Sequence, residues 1–400
     1  MTNRFPDLAG RRVVHAATSA NMLSAFGRVM ANRMVEENVD LYFLASSKPI
    51  YNRPADLAEL SEMGGKPLTI ALENSLHPLN LLRNTYRLWR KLRQLKPDIV
   101  HTRGAVMGIV GRIAARLSQV PVVVHHQDDL HSREERLSPL KRRISGHFEA
   151  WLARRSDHTF VVSDAVAVAA TERGFPASRL TNVGHDLNQS LVSLSRTAPA
   201  PHRSLETLQR LGIDETHFLV GAVTRLEGHK GIDTLIDAAA LVHAKAPHSR
   251  FVVRGRGPEK ARLMAQIDRV GLSEVFHIIE DWLTDEELVM LYRSFDVFAL
   301  PTRREGFGMA FAEAMLLGVV PIAPDIPPVN EVVSDKTGLL VSPTSQGFAD
   351  GVFWAMANRQ AMDELRENTT REALVRWGGS KAADTVLATY CDLLAQKGRK

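Results

Sequence analysis

Two doubly wound α/β halves, each built on a parallel sheet, are the fold class this chain predicts, and three observations predict it. Short continuous β-branched runs such as Val122-Val123-Val124 read as strands buried on both faces. These runs alternate with helix-length stretches, and strand–helix alternation implies a parallel sheet. The alternation stops at a Ser-, Pro- and Ala-rich break at residues 193–203 and then begins again, as an interdomain linker would make it do. A length of 400 residues is too great for one ordinary core and suits two domains.

In the first half, strands are expected at residues 12–17, 41–45, 68–72, 99–101, 120–125 and 158–162. Helices are expected between them at 22–37, 79–95, 107–117, 141–155 and 164–173. The second half predicts strands at 218–224, 250–254, 275–279, 297–300, 319–324 and 338–341. Its helices are expected at 232–246, 258–270, 284–293, 309–317, 329–333 and 346–358. A last helix, about 381–397, lies beyond the second series and is expected to pack back across the hinge. The expected division is a first domain over 1–195, a linker over 196–215, a second domain over 216–380 and the terminal helix over 381–400. The ligand site of such a pair is expected in the cleft at the strand C-terminal ends.

An apolar share of 44% with 24% charge is globular rather than disordered. The single cysteine, Cys391, excludes an intramolecular disulfide framework and a Cys-based zinc site, and it fits a reducing compartment. The polar start of the chain leads into a strand-like run and shows no signal peptide. The apolar stretch at 315–323 is far short of the roughly 20 residues that a membrane span needs. A cytoplasmic chain, soluble or peripheral on the inner face of the cytoplasmic membrane, is expected. Residues 1–200 carry 27 Lys and Arg against 18 Asp and Glu, whereas residues 201–400 carry 23 against 27. Only the first half is therefore expected to meet an anionic surface.

The most informative stretch runs from Arg303 to Met315, RREGFGMAFAEAM. A strand ends just before it, two glycines follow Glu305, and an alanine-rich helical run holds Glu313. A Gly-rich turn entering a helix offers free N–H groups and a positive dipole to an anion. The two acids admit three readings: a general acid and base, acceptors for sugar hydroxyls, or, for Glu313 alone, a charge suited to the helix dipole. Arg225 and Lys230, on the loop TRLEGHKGID after another strand, can converge on one diphosphate. Otherwise they are solvated loop cations. Gly255 and Gly257 close a third strand, either as cleft floor or as a plain structural turn; the third glycine and the acid of a dinucleotide fingerprint are missing.

Residues 218–342 closely resemble the C-terminal half of the family 4 retaining glycosyltransferases. The resemblance rests on TRLEGHKGIDTLIDA, VVRGRGPEKARL, DEELVMLYRSFDVFALPT, REGFGMAFAEAMLLGVVPIA and NEVVSDKTGLLVSP, standing in family order. More loosely, KPDIVHTRGAVMGIVGRIAARLSQVPVVV and SDHTFVVSDA resemble the subgroup that builds lipid-linked, capsular or exopolysaccharide glycans. This resemblance implies a GT-B fold of two Rossmann-like domains, with an acceptor-side domain first and a nucleotide-sugar-binding domain second. It implies transfer from a nucleotide-diphosphate-sugar donor with retention, without metal or cofactor. Arg225 and Lys230 would hold the donor diphosphate. Glu305 would contact the donor sugar, with Gly306, Phe307, Gly308 and Met309 lining the donor, and Glu313 would bind the ribose. Both carboxylates are expected to stay ionised, with the leaving phosphate taking the acceptor's proton.

The family histidine near the donor sugar falls on Gln127 or Asp128, and His126 would fill its role by a one-residue slip. The cluster His125, His126, Asp128, Asp129 and His131 has irregular spacing for a metal site. At Pro327-Pro328-Val329-Asn330-Glu331 the chain lacks a glycine that members often carry. The acceptor is expected to be a glycan, growing and lipid-linked. The basic, aromatic-faced helix at 79–96 suits either an anionic membrane surface or a helix packed on the sheet with a solvated face. Nucleic acid is not an expected partner. The rival functions are a non-catalytic nucleotide-sugar-binding subunit and a nucleotide-sugar 2-epimerase.

Overall fold

The computed structural model describes residues 4–49, 52, 54–133, 137–197 and 206–398. The chain divides into two compact units, Met1–Asp186 with Ser380–Lys400, and Leu187–Gly379. The first crossing lies earlier than the expected end of the first domain at residue 195. The break expected at 193–203 opens instead with a helix, Gln189–Thr197. Leu191 and Val192 bury that helix, and its Ser195 carbonyl accepts from Arg293 at 2.6 Å. Its Ser and Thr residues masked that apolar face in the sequence. Residues 198–205 of the expected linker lie outside the described residues.

The first unit holds seven parallel strands: β1 Arg12–Ala16, β2 Asp40–Ser46, β3 Lys66–Ile70, β4 Ile99–Arg103, β5 Val122–Gln127, β6 His158–Val161 and β7 Leu180–Asn182. Their order is β3-β2-β1-β4-β5-β6-β7. Every residue of β4 and β5 is buried, as a sheet covered on both faces requires. β7 was not expected, because three partly exposed residues carry no strand pattern. Helix starts follow local chemistry. Pro78 and Pro139 stand in first helical turns, and the Ser163 side chain accepts from the N–H of Val166.

The second unit holds β8 Phe218–Val223, β9 Ser249–Arg254, β10 Phe276–Ile279, β11 Val297–Ala299, β12 Val320–Pro324 and β13 Leu339–Val341. They form one parallel sheet in the order β10-β9-β8-β11-β12-β13. The helix Asp285–Ser294 begins with a reciprocal capping box between Thr284 and Glu287, which satisfies two otherwise orphaned donors.

The terminal helix, Lys381–Gly398, belongs to the first unit. Ala383, Val386, Leu387, Tyr390 and Leu393 join a core that also holds Met34, Leu41 and Phe43. The Asp186 carboxylate accepts from the N–H groups of Ala382 and Ala383 at 2.9 and 2.8 Å, capping the helix as it starts. Leu387 is fully buried. Leu387→Ala should cost about 2–5 kcal/mol, read as a lowered midpoint in urea denaturation with an unchanged slope.

Candidate functional site

In both sheets the strand order reverses beside the first strand, between β1 and β4 and between β8 and β11. Ligands of open parallel sheets bind outside the strand C-terminal ends at such a reversal. In the second unit the two loops at this place are 224–231, after β8, and 300–308, after β11. They carry Arg225, Lys230, Glu305 and the glycine turn.

The loops are locked backbone to backbone. The His229 carbonyl accepts from the Arg303 N–H at 2.7 Å and from Thr302 Oγ1 at 3.1 Å. Arg303 donates to the Gly228 carbonyl at 2.6 Å and to Asp233 Oδ2 at 2.9 Å. Gly231 sits at φ 71°, where a Cβ would stand 1.8 Å from the Pro301 carbonyl oxygen, so only glycine fits. Its positive φ and its close approach to Pro301 each require a residue without a Cβ.

This lock sets Lys230 Nζ 2.7 Å from Glu305 Oε1, with both side chains nearly buried, 13 and 10% exposed. Arg225 does not join them. It is 71% exposed and pairs with Glu227 at 2.6 Å. The two expected diphosphate cations therefore have different partners.

Gly308 caps the helix Met309–Leu316 at φ 103°, and the N–H groups of that first turn lie beside Glu305 in the chain. Gly306 and Met309 are partly exposed there. Phe307 is buried, its ring edge-on to Trp377 at 5.7 Å. Gly255 and Gly257 do a different job from the cleft-floor reading. A Cβ on them would meet the carbonyl oxygens of Thr224 and Leu226 at 1.8 and 2.3 Å. The Leu226 N–H donates to the Arg256 carbonyl at 2.8 Å. Their small size lets the β9 turn brace the Arg225 loop.

Glu313 Oε2 accepts from the Tyr292 hydroxyl at 2.9 Å. Burial pushes the Glu313 carboxyl up to about 7, against the lowering effect of that hydrogen bond. The expectation that both acids stay ionised thus meets an exception at Glu313, because burial disfavours its charged form. Tyr292 was not singled out in the sequence, where it reads as one more apolar residue of its helix. Arg254, at the end of β9, also acts electrostatically on Glu313, and nothing in its spacing announced this.

His126 lies in the first unit, buried near the end of β5. Its ring stacks on His101 at 5.6 Å and His185 at 5.9 Å, and neither ring nitrogen has a hydrogen-bond partner. The alternative positions are engaged elsewhere. Gln127 donates to the Asp129 carbonyl at 2.6 Å, and Asp128 accepts from Arg103 Nε at 2.9 Å. His125 Nδ1 pairs with Thr102 Oγ1 at 2.9 Å. Among the described residues, no group of three or more His, Cys, Asp or Glu is placed to hold a metal ion.

The Tyr390 hydroxyl lies 2.5 Å from His101 Nδ1 and 3.3 Å from His15 Nε2. Burial, reinforced by the Arg103 charge, lowers His15 to about 3 and holds His101, His126 and His185 well below the ordinary range.

Two parallel-sheet units, one with a cation, carboxylates and helix N–H groups at its switch point, define a two-domain α/β protein of the nucleotide-binding type. Residues 204–373 match the glycosyl transferases group 1, and residues 28–184 match the glycosyl transferase 4-like domain. The chain belongs to the family 4 glycosyltransferases. A GDP-mannose-dependent alpha-mannosyltransferase of Mycobacterium tuberculosis (strain CDC 1551 / Oshkosh) is 29% identical over 260 residues. That match spans 64% of this chain and 63% of the relative, so the chain covers less than two thirds of that protein's length. An Escherichia coli UDP-Gal:alpha-D-GlcNAc-diphosphoundecaprenol alpha-1,3-galactosyltransferase is 22% identical over 79% of this chain and 81% of its own. The Anabaena protein HepE, solved with UDP and glucose, superposes with a TM-score of 0.74 at 19% identity, covering 96% of this chain and 98% of its own. The fold is GT-B, two Rossmann-like domains. Neither the binding-subunit nor the epimerase rival is favoured by these likenesses.

The four histidines His15, His101, His126 and His185 are held neutral in the folded state and bind protons more readily when unfolded, near pH 6.5. The stability that these histidines contribute should be full above that value. Below it, each should remove about 1.4 kcal/mol per pH unit until its folded pKa is reached. Urea midpoints measured from pH 8 to pH 5 should fall steeply below about pH 6.5, and His101→Phe should flatten the fall.

Proposed function

We propose that this chain is a retaining, metal-independent hexosyltransferase. It moves a sugar from a nucleoside-diphosphate sugar to a growing, lipid-linked glycan in the synthesis of cell-surface polysaccharide. The observation that carries the reading is the Lys230–Glu305 pair beside the glycine turn, at the switch point of the second sheet. A cation, a hydroxyl-binding carboxylate and free N–H groups there match the diphosphate and sugar of one donor. The names of relatives that use GDP-mannose or UDP-Gal support the donor class. A relative named for a diphosphoundecaprenol acceptor supports the acceptor class.

The bond between the sugar's anomeric carbon and the phosphate oxygen breaks as the acceptor oxygen bonds to that carbon from the same face. The acceptor's proton passes to the departing phosphate, leaving a nucleoside diphosphate and a glycoside. Lys230, Arg225 swung from Glu227, and the N–H groups near Phe307 and Gly308 stabilise the charge on that phosphate. Fixed dipoles and cations in a water-poor site favour such developing charge. On donor entry Glu305 exchanges Lys230 for sugar hydroxyls, and Glu313 accepts from the ribose. The basic first unit takes the acceptor. Work at the inner face of the cytoplasmic membrane fits the positive charge of that half.

Slow hydrolysis of the donor, followed as free sugar released without acceptor, should be detectable in the wild-type protein. It should drop about 100-fold or more in Lys230→Ala and in Glu305→Ala. Donor binding without turnover across a broad acceptor panel would instead favour a binding subunit.

Glu313 is a better hydroxyl acceptor when ionised, so nucleoside diphosphate affinity should strengthen as pH rises through about 7. The Tyr292 hydrogen bond lowers the Glu313 pKa, so Tyr292→Phe should move the midpoint to higher pH. Glu313→Gln should abolish it. Calorimetric titration with UDP and GDP from pH 6 to 9 reads both effects.

A further inference from the structure

The helix Pro139–Arg155 in the first unit faces two ways. Gly146, Glu149, Ala150, Leu152 and Ala153 are buried. On the other face Leu140, Ile144, Phe148 and Trp151 recur every three or four residues and are 68, 60, 37 and 39% exposed. With Arg143 and His147 they line a shallow groove along the helix. The Phe148 and Trp151 rings stack at 5.6 Å, and the Arg155 guanidinium lies 4.0 Å from the Trp151 ring centre. An apolar stripe of this length on a water-facing helix marks a contact surface.

Its charge says what the contact is. The helix carries Lys141, Arg142, Arg143, Arg154 and Arg155, all exposed except Arg142, which is partly so. Its one acid, Glu149, is buried, where it accepts from the N–H groups of His131 and Ser132. The surface is therefore apolar along its middle and positive at its rim. A second copy of this face would set like charge against like charge. An anionic bilayer offers the complement: acidic headgroups for the rim and an acyl boundary for the stripe.

We propose that the helix Pro139–Arg155 lies on an anionic lipid bilayer, with Leu140, Ile144, Phe148 and Trp151 entering the headgroup boundary. This goes beyond the membrane reading of the sequence, which drew added charge from Lys141-Arg142-Arg143 but placed the contact on the helix at 79–96. On that helix, Pro78–Leu95, Leu88 and Leu92 are buried, while Leu79, Leu82 and Tyr86 are exposed. It therefore serves as the comparison face.

The test is co-sedimentation of the full chain with vesicles of phosphatidylglycerol and phosphatidylcholine, against vesicles of phosphatidylcholine alone, at low and high salt. The wild-type protein should bind the anionic vesicles in a salt-sensitive way. The double variant Leu140→Glu/Ile144→Glu should bind about tenfold more weakly or worse, and Leu82→Glu should change binding far less. Brominated lipid should quench wild-type tryptophan fluorescence, and Trp151→Phe should lose most of that quenching. Donor hydrolysis without vesicles should be unchanged in the double variant, which separates this proposal from the transfer reaction and from misfolding. No vesicle binding by the wild type, equal binding to neutral vesicles, or undiminished binding by the double variant would each overturn the proposal. So would a wild-type oligomer in sedimentation velocity that the double variant dissolves, since a second copy would then occupy the face.

Discussion

The second unit's site depends on a backbone contact between two loops that leave neighbouring parallel strands. The His229 carbonyl takes two donors from the Thr302–Arg303 segment, and Gly231 packs where any Cβ would strike Pro301. Adjacent parallel strands bring their C-terminal loops side by side, but not into register. The hydrogen bonds and the missing side chain do that. Lys230 and Glu305 meet because the backbones beneath them are already fixed. The Gly255–Gly257 turn extends the same scheme by bracing the Arg225 loop from the other side.

Within that frame the charges are balanced internally. A nearly buried cation beside a carboxylate is costly if either is removed alone, because the survivor is left uncompensated. In the proposed reaction a donor replaces each partner with a better-matched one, phosphate for Lys230 and hydroxyls for Glu305. Glu313 works under another constraint. Burial opposes its charge and the Tyr292 hydroxyl supports it, so its protonation responds to pH near neutrality. The two acids of one turn-and-helix segment thus have different electrostatic characters, which the symmetry of their spacing concealed.

The first unit poses the opposite problem, several imidazoles buried together. His126 stacks between His101 and His185, and the Tyr390 hydroxyl reaches His101 and His15 from the terminal helix. Burial keeps these rings neutral, and the positive charge of Arg103 adds to the effect. Returning the last helix to this unit therefore does more than cover the apolar core. It supplies a polar group to side chains that sit 289 and 375 residues earlier in the sequence.

Most of the architecture was legible in advance. The strands at the hearts of both sheets announce themselves as short β-branched runs, and period and length separate them from the helices. β7 and the helices Pro54–Glu62, Gln189–Thr197 and Arg359–Trp377 escaped; the short ones carry too few apolar positions to show a period, and the faces of the long one are set by tertiary contacts. Site residues were legible where chemistry sits on an unusual backbone, as with Glu305, Gly308 and Lys230 on Gly-flanked turns. Tyr292, Arg254 and the histidine stack were not, because each acts through neighbours distant in the chain. The sequence by itself determined the parallel α/β class, the strand–helix order and the charged residues on the two loops, since local periodicity and turn chemistry are written along the chain. Only the tertiary structure decided that Lys230 pairs with Glu305 while Arg225 turns to Glu227, and that Glu313 titrates near neutrality. Those outcomes depend on burial and on distances between residues far apart in sequence, which no local pattern encodes.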